Sequence, residues 1–454
     1  MTSSDRSVPA SSALKTGAKP PVVVVGGGFA GLSAAALLAE HGERVVVLEA
    51  RPRLGGRATA FPDRHSGEPV DNGQHVMFGC YRETMAFLRR VGGNDNVRVQ
   101  QALEIPFIDT DQRRTVLKCP PLPAPLHLLA GVFLWDALSW RDRVSALRVA
   151  PALVMRSSAA PKGTVTEWLR RHGQTARLIE RLWEPLAVAA LNQPIDQAAA
   201  APFLRVLHEM FGPDRTASAL VLPTTPLDEM YATPARTFIE DHGGLVRTDS
   251  LARVIVENGR ISGVDVRGER LLTDTVISSV PWHQLRTLFP VVPQPLADVV
   301  EHASAMDSMP IVTVNLWYDR VVMDDAFVGL AGRSMQWIFD KRRVFGEQWS
   351  HLSLVSSAAL ALTPLAREEL IALAAREVAE SLPAARGAIL LRGTLVREKH
   401  ATFSLSAGQP PRPAARTPLP GFFLAGDWTD TALPGTIESA VVSGHAAAHA
   451  ILNL

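Results

Sequence analysis

The stretch PVVVVGGGFAGLSAAALLAEHGERVVVLEA, residues 21–50, decides how the rest of the chain is read. Val22 to Val25 is a continuous β-branched run, the pattern of a strand buried on both faces of a parallel sheet. Gly26, Gly28 and Gly31 follow in G-x-G-x-x-G spacing. Leu32 to Glu40 is rich in Ala and Leu and predicts a helix, closed by Gly42. Arg44 to Leu48 is a second strand, and Glu49 ends it. Strand, glycine turn, helix, strand and acid in that order predict a dinucleotide-binding βαβ unit. The glycines permit a tight turn and a close approach of backbone to a pyrophosphate. The helix start, with Phe29 and Ala30, offers free N–H groups and a positive dipole end. Glu49, followed by Ala50, is placed to accept hydrogen bonds from a ribose diol.

Composition sets the frame. The chain has 454 residues, 47% hydrophobic and 20% charged, enough to bury a core in two or three domains or in one large two-domain enzyme. A net charge of +1 argues against a general nucleic-acid binder. Two cysteines, Cys80 and Cys119, exclude a disulfide framework and fit a reducing cytoplasm. No metal site is expected. Residues 1–19 are small and polar and are expected to be a loose tail without a secretion signal. No apolar run is long enough to span a membrane.

The residues after Glu49 separate the nucleotides. RPRLGGRATAF, residues 51–61, places Gly55, Gly56 and Arg57 directly behind the acid. It resembles the second half of the FAD signature of the flavin amine oxidase and phytoene desaturase superfamily. That resemblance implies non-covalent FAD, with Gly-Gly-Arg near the pyrophosphate and ribityl chain. The other end of the chain resembles the same superfamily. FFLAGDWTDTALPGTIESAVVSGHAAAHAIL, residues 422–452, reads as a short strand, Gly426-Asp427, a loop, and a helix beginning at Thr436. The resemblance implies that Asp427 contacts the ribityl or pyrophosphate region. It also implies that Gly435 to Glu438, with Thr436 and Ile437, lie near the flavin ring.

Between these ends, residues 242–281 alternate apolar and polar, with turns at Asn258-Gly259 and Arg267-Gly268. They predict a β-meander returning to the core sheet through Val276 to Val280. Leu251 stands where the superfamily brings backbone toward adenine. The expected fold class is α/β in two domains: a Rossmann-like FAD-binding domain with an inserted substrate domain, flavin amine oxidase-like. The FAD domain would comprise 20–100, 224–290 and 416–454. The substrate domain would comprise 101–223 and 291–415.

The segment PVDNGQHVMFGCY, residues 69–81, is too polar for a core strand and too apolar for a surface loop. In the superfamily, the matching segment runs beneath the flavin. Asn72, Gly73, Gln74 and His75 are therefore expected at the cofactor. VDNGQHVMFGCYRET, REKHATF (397–403) and LAGDWTDTALPGTIESAV (424–441) resemble the hydroxysqualene dehydroxylase family of bacterial hopanoid synthesis. That resemblance implies hydride transfer from reduced flavin to an allylic alcohol, loss of water, and squalene as product. Hydroxide leaves poorly, so an acid is needed. His75, Lys399 and Asp430 are the candidates; His75 is also read as a group that only hydrogen-bonds flavin or backbone, and the other two as solvated surface residues.

Residues 119–160 carry Trp135 and Trp140 beside Arg141, Arg143, Arg148 and Arg156. They read either as a peripheral membrane contact that admits a long apolar isoprenoid or as a core helix pair. The enzyme would then lie at the inner face of the cytoplasmic membrane. Residues 182–211 are also apolar and read as pocket lining or as core. Rival activities remain: a carotenoid or polyene desaturase, and a non-catalytic lipid or prenyl carrier on the same fold. Amine oxidases of the superfamily place a lysine before the strand entering the substrate domain. The matching stretch here, SMPIVTVNLWYDR (308–320), has none. No motif names the reductant.

Overall fold

The computed structural model describes residues 19–63, 67–154, 161–212 and 214–453. The expected tail lies outside these residues, except for Lys19, and so does Arg156.

The β-branched run forms the strand Val22–Val25, buried at all four positions and central in a five-stranded parallel sheet. Across the sheet the order is Leu245–Arg247, Val45–Leu48, Val22–Val25, Val276–Ser278 and Phe422–Leu424. Every neighbouring pair is parallel. Three regions distant in sequence therefore share one sheet. The first helix, Phe29–Glu40, is buried everywhere except Glu40. That explains why its sequence is apolar all round rather than striped. The C-terminal helix, Ile437–Leu452, lies against it so closely that a Cβ on Gly444 would stand 2.3 Å from the Ala30 carbonyl oxygen.

The predicted meander is present. Ala252–Glu257, Arg260–Val266 and Glu269–Leu271 pair antiparallel. Its turns have positive φ at both central residues, Asn258 and Gly259, then Arg267 and Gly268. This matches the twist of tight hairpins.

A second sheet has seven strands in the order Leu390–Phe403, Ser308–Tyr318, Ser350–Ser356, Trp337–Asp340, Phe327–Leu330, Glu104–Ile108 and Arg114–Lys118. Only the pairing of Phe327–Leu330 with Glu104–Ile108 is parallel. One face packs Val312, Val314, Leu316, Leu352 and Leu354 against the helix Arg367–Ser381. The alternate residues, Thr313, Asn315, His351 and Ser353, are buried and polar. Thr313 lies under the 71–75 segment, its Oγ1 3.4 Å from where a Cβ on Gly73 would be.

Helices between residues 126 and 210 form a further apolar core. Trp135 is 2% exposed and packs on Phe107 at 5.4 Å between ring centroids. It is a core residue, not an interfacial anchor. Trp140, at the start of the short helix Trp140–Ala146, is 69% exposed. From the 182–211 stretch, Trp183, Ala187, Leu191, Phe203 and Leu207 are core. Among the described residues, no helix is long and apolar enough to cross a membrane.

Candidate active site

A cavity of about 380 Å³ opens at the carboxyl ends of the parallel strands, within the range of small-molecule sites. Its walls come from the glycine turn, the Gly-Gly-Arg turn, the 72–76 segment and the start of the C-terminal helix. Residues 250–252, 279–284 and part of the strand Leu390–Phe403 complete it.

The glycine turn is shaped for a close approach. Gly26 has φ +111°, and a Cβ there would meet Ser279 Oγ at 2.5 Å. Gly28 is the N-cap of the first helix, and no side chain caps that end. Its missing Cβ faces Gly56 at 3.7 Å. Gly31 does not line the cavity; a Cβ there would fall 2.0 Å from the Gly26 carbonyl oxygen. Gly31 therefore allows helix and turn to pack. Glu49 is fixed by two backbone donors: Gly27 N to Oε2 at 2.8 Å and Arg51 N to Oε1 at 2.9 Å. Uncapped helix N–H groups, a Cβ-free floor and a held carboxylate fit the pyrophosphate and ribose of a dinucleotide.

Arg57 joins the two ends of the chain. Its guanidinium donates to the Ala401 carbonyl at 2.9 Å and pairs with Asp427. Asn72 secures the same turn, donating to the Arg57 carbonyl at 2.6 Å and accepting from Thr59 N at 3.3 Å. Tyr231, which sequence reasoning missed, donates to the carbonyls of Gly55 and Ala58 and stacks on Phe29 at 3.5 Å. Nothing local in its sequence signals that role.

At the other end, Thr436 caps the C-terminal helix by accepting from Ser439 N, and Thr436 and Ile437 face the cavity. Glu438 corrects the expectation for this stretch. It turns away from the cavity, and its carboxylate accepts from Glu83 N, Thr84 N and Thr84 Oγ1, capping the helix Arg82–Val91. Burial pushes its pKa up, against those hydrogen bonds.

Gln74 and His75 are on the wall. His75 Nδ1 donates to the Gly73 carbonyl at 2.9 Å, which leaves Nε2 as the free ring nitrogen. Burial holds the imidazole pKa below its ordinary value; the Gly73 bond and Asp71 oppose this, while Lys341 and Arg57 add to it. Burial thus favours the neutral ring. Lys399 and Asp430 are not brought to the site. Glu398, His400, Ala401 and Thr402 line the cavity, whereas Lys399 does not and is exposed. Asp430 is 64% exposed at its side chain and stands 3.7 Å from Arg412. Of the other expected contacts, Gly26, Gly28, Phe29, Ala30, Glu49, Ala50, Gly55, Gly56, Leu251 and Gly426 all border the cavity.

The model of the flavin-containing amine oxidoreductase family matches residues 29–452. The chain belongs to that family. It is a flavin-dependent oxidoreductase, and the cavity is where this flavoenzyme would hold its flavin. It is 28% identical over 447 residues to the hydroxysqualene dehydroxylase of Sinorhizobium fredii, covering 95% of this chain and 98% of that one. It is 25% identical over 474 residues to a zeta-carotene desaturase of Zea mays, covering 94% and 82%. An oxidoreductase structure from Methanosarcina mazei superposes with a TM-score of 0.73 at 17% identity, covering 96% of this flavoenzyme and all of its neighbour. The shared fold is thus that of the flavin amine oxidases.

Proposed function

We propose that this flavoenzyme binds FAD without a covalent link and reduces the allylic alcohol hydroxysqualene to squalene. The carrying observation is the segment 71–81. Its sequence resembles the hydroxysqualene dehydroxylases, and it supplies Asn72, Gly73, Gln74, His75, Val76 and Tyr81 to the cavity wall. The Sinorhizobium relative supports the same reading. Ala189, Ala190, Ile311 and Val355 on the wall suit a hydrocarbon. Neither Cys80 nor Cys119 borders the cavity, which supports a cofactor held without a thioether.

Reduced flavin, when bound, supplies a hydride to the allylic carbon. The carbon–oxygen bond breaks, and the oxygen leaves as water only if one proton is delivered to it. His75 is the group assigned to that proton. The neutral ring must first take one proton from solvent at Nε2; that nitrogen then donates it to the leaving hydroxyl, and the ring returns to its neutral form.

A neutral His75 also suits a base, and the zeta-carotene desaturase relative supports a second reading in which a polyene loses hydride and proton. The division into an FAD-binding part (20–100, 224–290, 416–454) and a substrate part (101–223, 291–415) is supported by sheet membership: the parallel strands fall in the first, the seven mixed strands in the second. The helices Leu126–Leu134 and Trp140–Ala146 expose Leu126, Leu134, Trp140 and Val144. This face is assigned to the inner surface of the cytoplasmic membrane, where an isoprenoid dissolves.

The test is product identity. Flavin-loaded protein is reduced without oxygen and given hydroxysqualene in detergent; an oxidised sample receives squalene and phytoene. Squalene with reoxidised flavin is expected from the first. More unsaturated polyene from the second, without squalene from the first, would replace the dehydroxylase reading by the desaturase one.

A further inference from the structure

Behind the cavity wall lies a charge that the reaction scheme does not use. Lys341 begins the short helix Lys341–Phe345, and its side chain is 1% exposed. Its Nζ donates to Asp71 Oδ2 at 3.0 Å and to Gln74 Oε1 at 2.6 Å, and lies 4.1 Å from the Phe345 ring centroid. Asp71 is equally buried, and its second oxygen accepts from Leu227 N at 3.1 Å. Gln74 continues the chain of contacts by donating from Nε2 to the His75 carbonyl at 3.3 Å.

A buried ion pair is poor evidence for stability, because desolvation of both charges offsets their attraction. Its arrangement here points to another role. Asp71 and Gln74 bracket the two residues, Asn72 and Gly73, whose backbone turns along the cavity. Both are held by one ammonium, so the segment that carries His75 cannot shift without breaking that bond.

We propose that Lys341 is a positioning residue: clamped to Asp71 and Gln74 behind the cavity, it holds the 72–75 segment, and with it the His75 ring and its electrostatic surroundings, in place. The charged groups acting on His75 from the packed elements are Asp71, Lys341 and Arg57. The remaining titratable groups on the wall include Glu49, Tyr81, His283, Glu398, His400 and Asp427. Asp71 favours the imidazolium, whereas Lys341 and Arg57 oppose it. The role does not depend on which isoprenoid is reduced or desaturated.

Opposite shifts test it. The ring signals of ¹³C-labelled histidines in the flavin-loaded protein are titrated, with His75 assigned through His75→Gln. Lys341→Gln keeps a donor toward Asp71 but removes the charge, and the His75 midpoint is expected to rise by about one pH unit. Asp71→Asn removes the opposing charge, and the midpoint is expected to fall. A simple loosening of the segment would move both variants the same way. Shifts of like sign, or a His75 midpoint that stays still in either variant, would overturn the proposal. If Lys341→Gln does not fold, Asp71→Asn alone still decides, because solvation of a loosened ring would raise its midpoint whereas loss of the Asp71 charge lowers it.

Discussion

Arg57 and Asp427, 370 residues apart in sequence, form an ion pair on the wall of one cavity. Asp427 is nearly buried, and Arg57 also donates to the Ala401 carbonyl. This pair fastens the Gly-Gly-Arg turn to the loop that precedes the C-terminal helix. Arg57→Ala leaves Asp427 without its partner and removes a cation from the expected pyrophosphate and ribityl side. FAD affinity should fall at least tenfold, or about 1.4 kcal/mol. Flavin absorbance of the purified variant, and titration of its apoprotein with FAD, measure this. Wild-type flavin content in the variant would remove Arg57 from the cofactor site.

Gly31 should fail differently. Its missing Cβ lies 2.0 Å from the Gly26 carbonyl oxygen, and it does not border the cavity. Gly31→Ala must push the first helix off the glycine turn, at a cost of about 1–3 kcal/mol. The midpoint of thermal unfolding should drop even in the apoprotein. Loss of flavin with an unchanged apoprotein midpoint would mean that Gly31 acts on the cofactor directly.

His283 gives a stability that depends on pH. Its imidazole stacks on His400 at 4.3 Å, and burial, then His400, Arg57 and Arg51, lower its pKa to about 4. Between about pH 4 and pH 6.5 the unfolded chain holds a proton on this residue that the folded chain does not. Its contribution to stability is therefore present above pH 6.5 and is lost as pH falls through that window. Urea unfolding of His283→Gln across the window should show a shallower loss than wild type. Parallel curves would mean that the folded ring titrates normally.

The Lys341–Asp71 pair should show the asymmetry of buried charges. Lys341→Met alone leaves Asp71 uncompensated, and the loss should be about 3–5 kcal/mol. Combining it with Asp71→Leu should recover most of that loss. Denaturant unfolding of both variants gives the comparison. A double variant as unstable as the single one would mean that packing, rather than charge, dominates the site.

The parts of this fold that were legible in sequence are those coded by neighbours. The Val22–Val25 run, its glycines and Glu49 describe a βαβ unit within thirty residues, and Asn258-Gly259 describes its own hairpin. Lys341 was not legible, because Asp71 lies 270 residues away and only the folded chain brings them together. Lys399 failed on orientation: Glu398, His400, Ala401 and Thr402 hold the cavity positions of this strand, whose pairing shifts register here, and Lys399 is left exposed. Trp135 and Trp140 looked alike in sequence, yet one fills a core against Phe107 and the other stands in solvent.

The parallel sheet begins with Val22–Val25 and takes its last strand from Phe422–Leu424, and the C-terminal helix then seals the first one through Gly444. A nascent chain that ends before Phe422 has no edge strand beside Val276–Ser278, no counter-charge for Arg57 and no helix end at the cavity. A chain cut short before this strand should therefore hold no flavin, because the cavity is walled by both ends of the sequence.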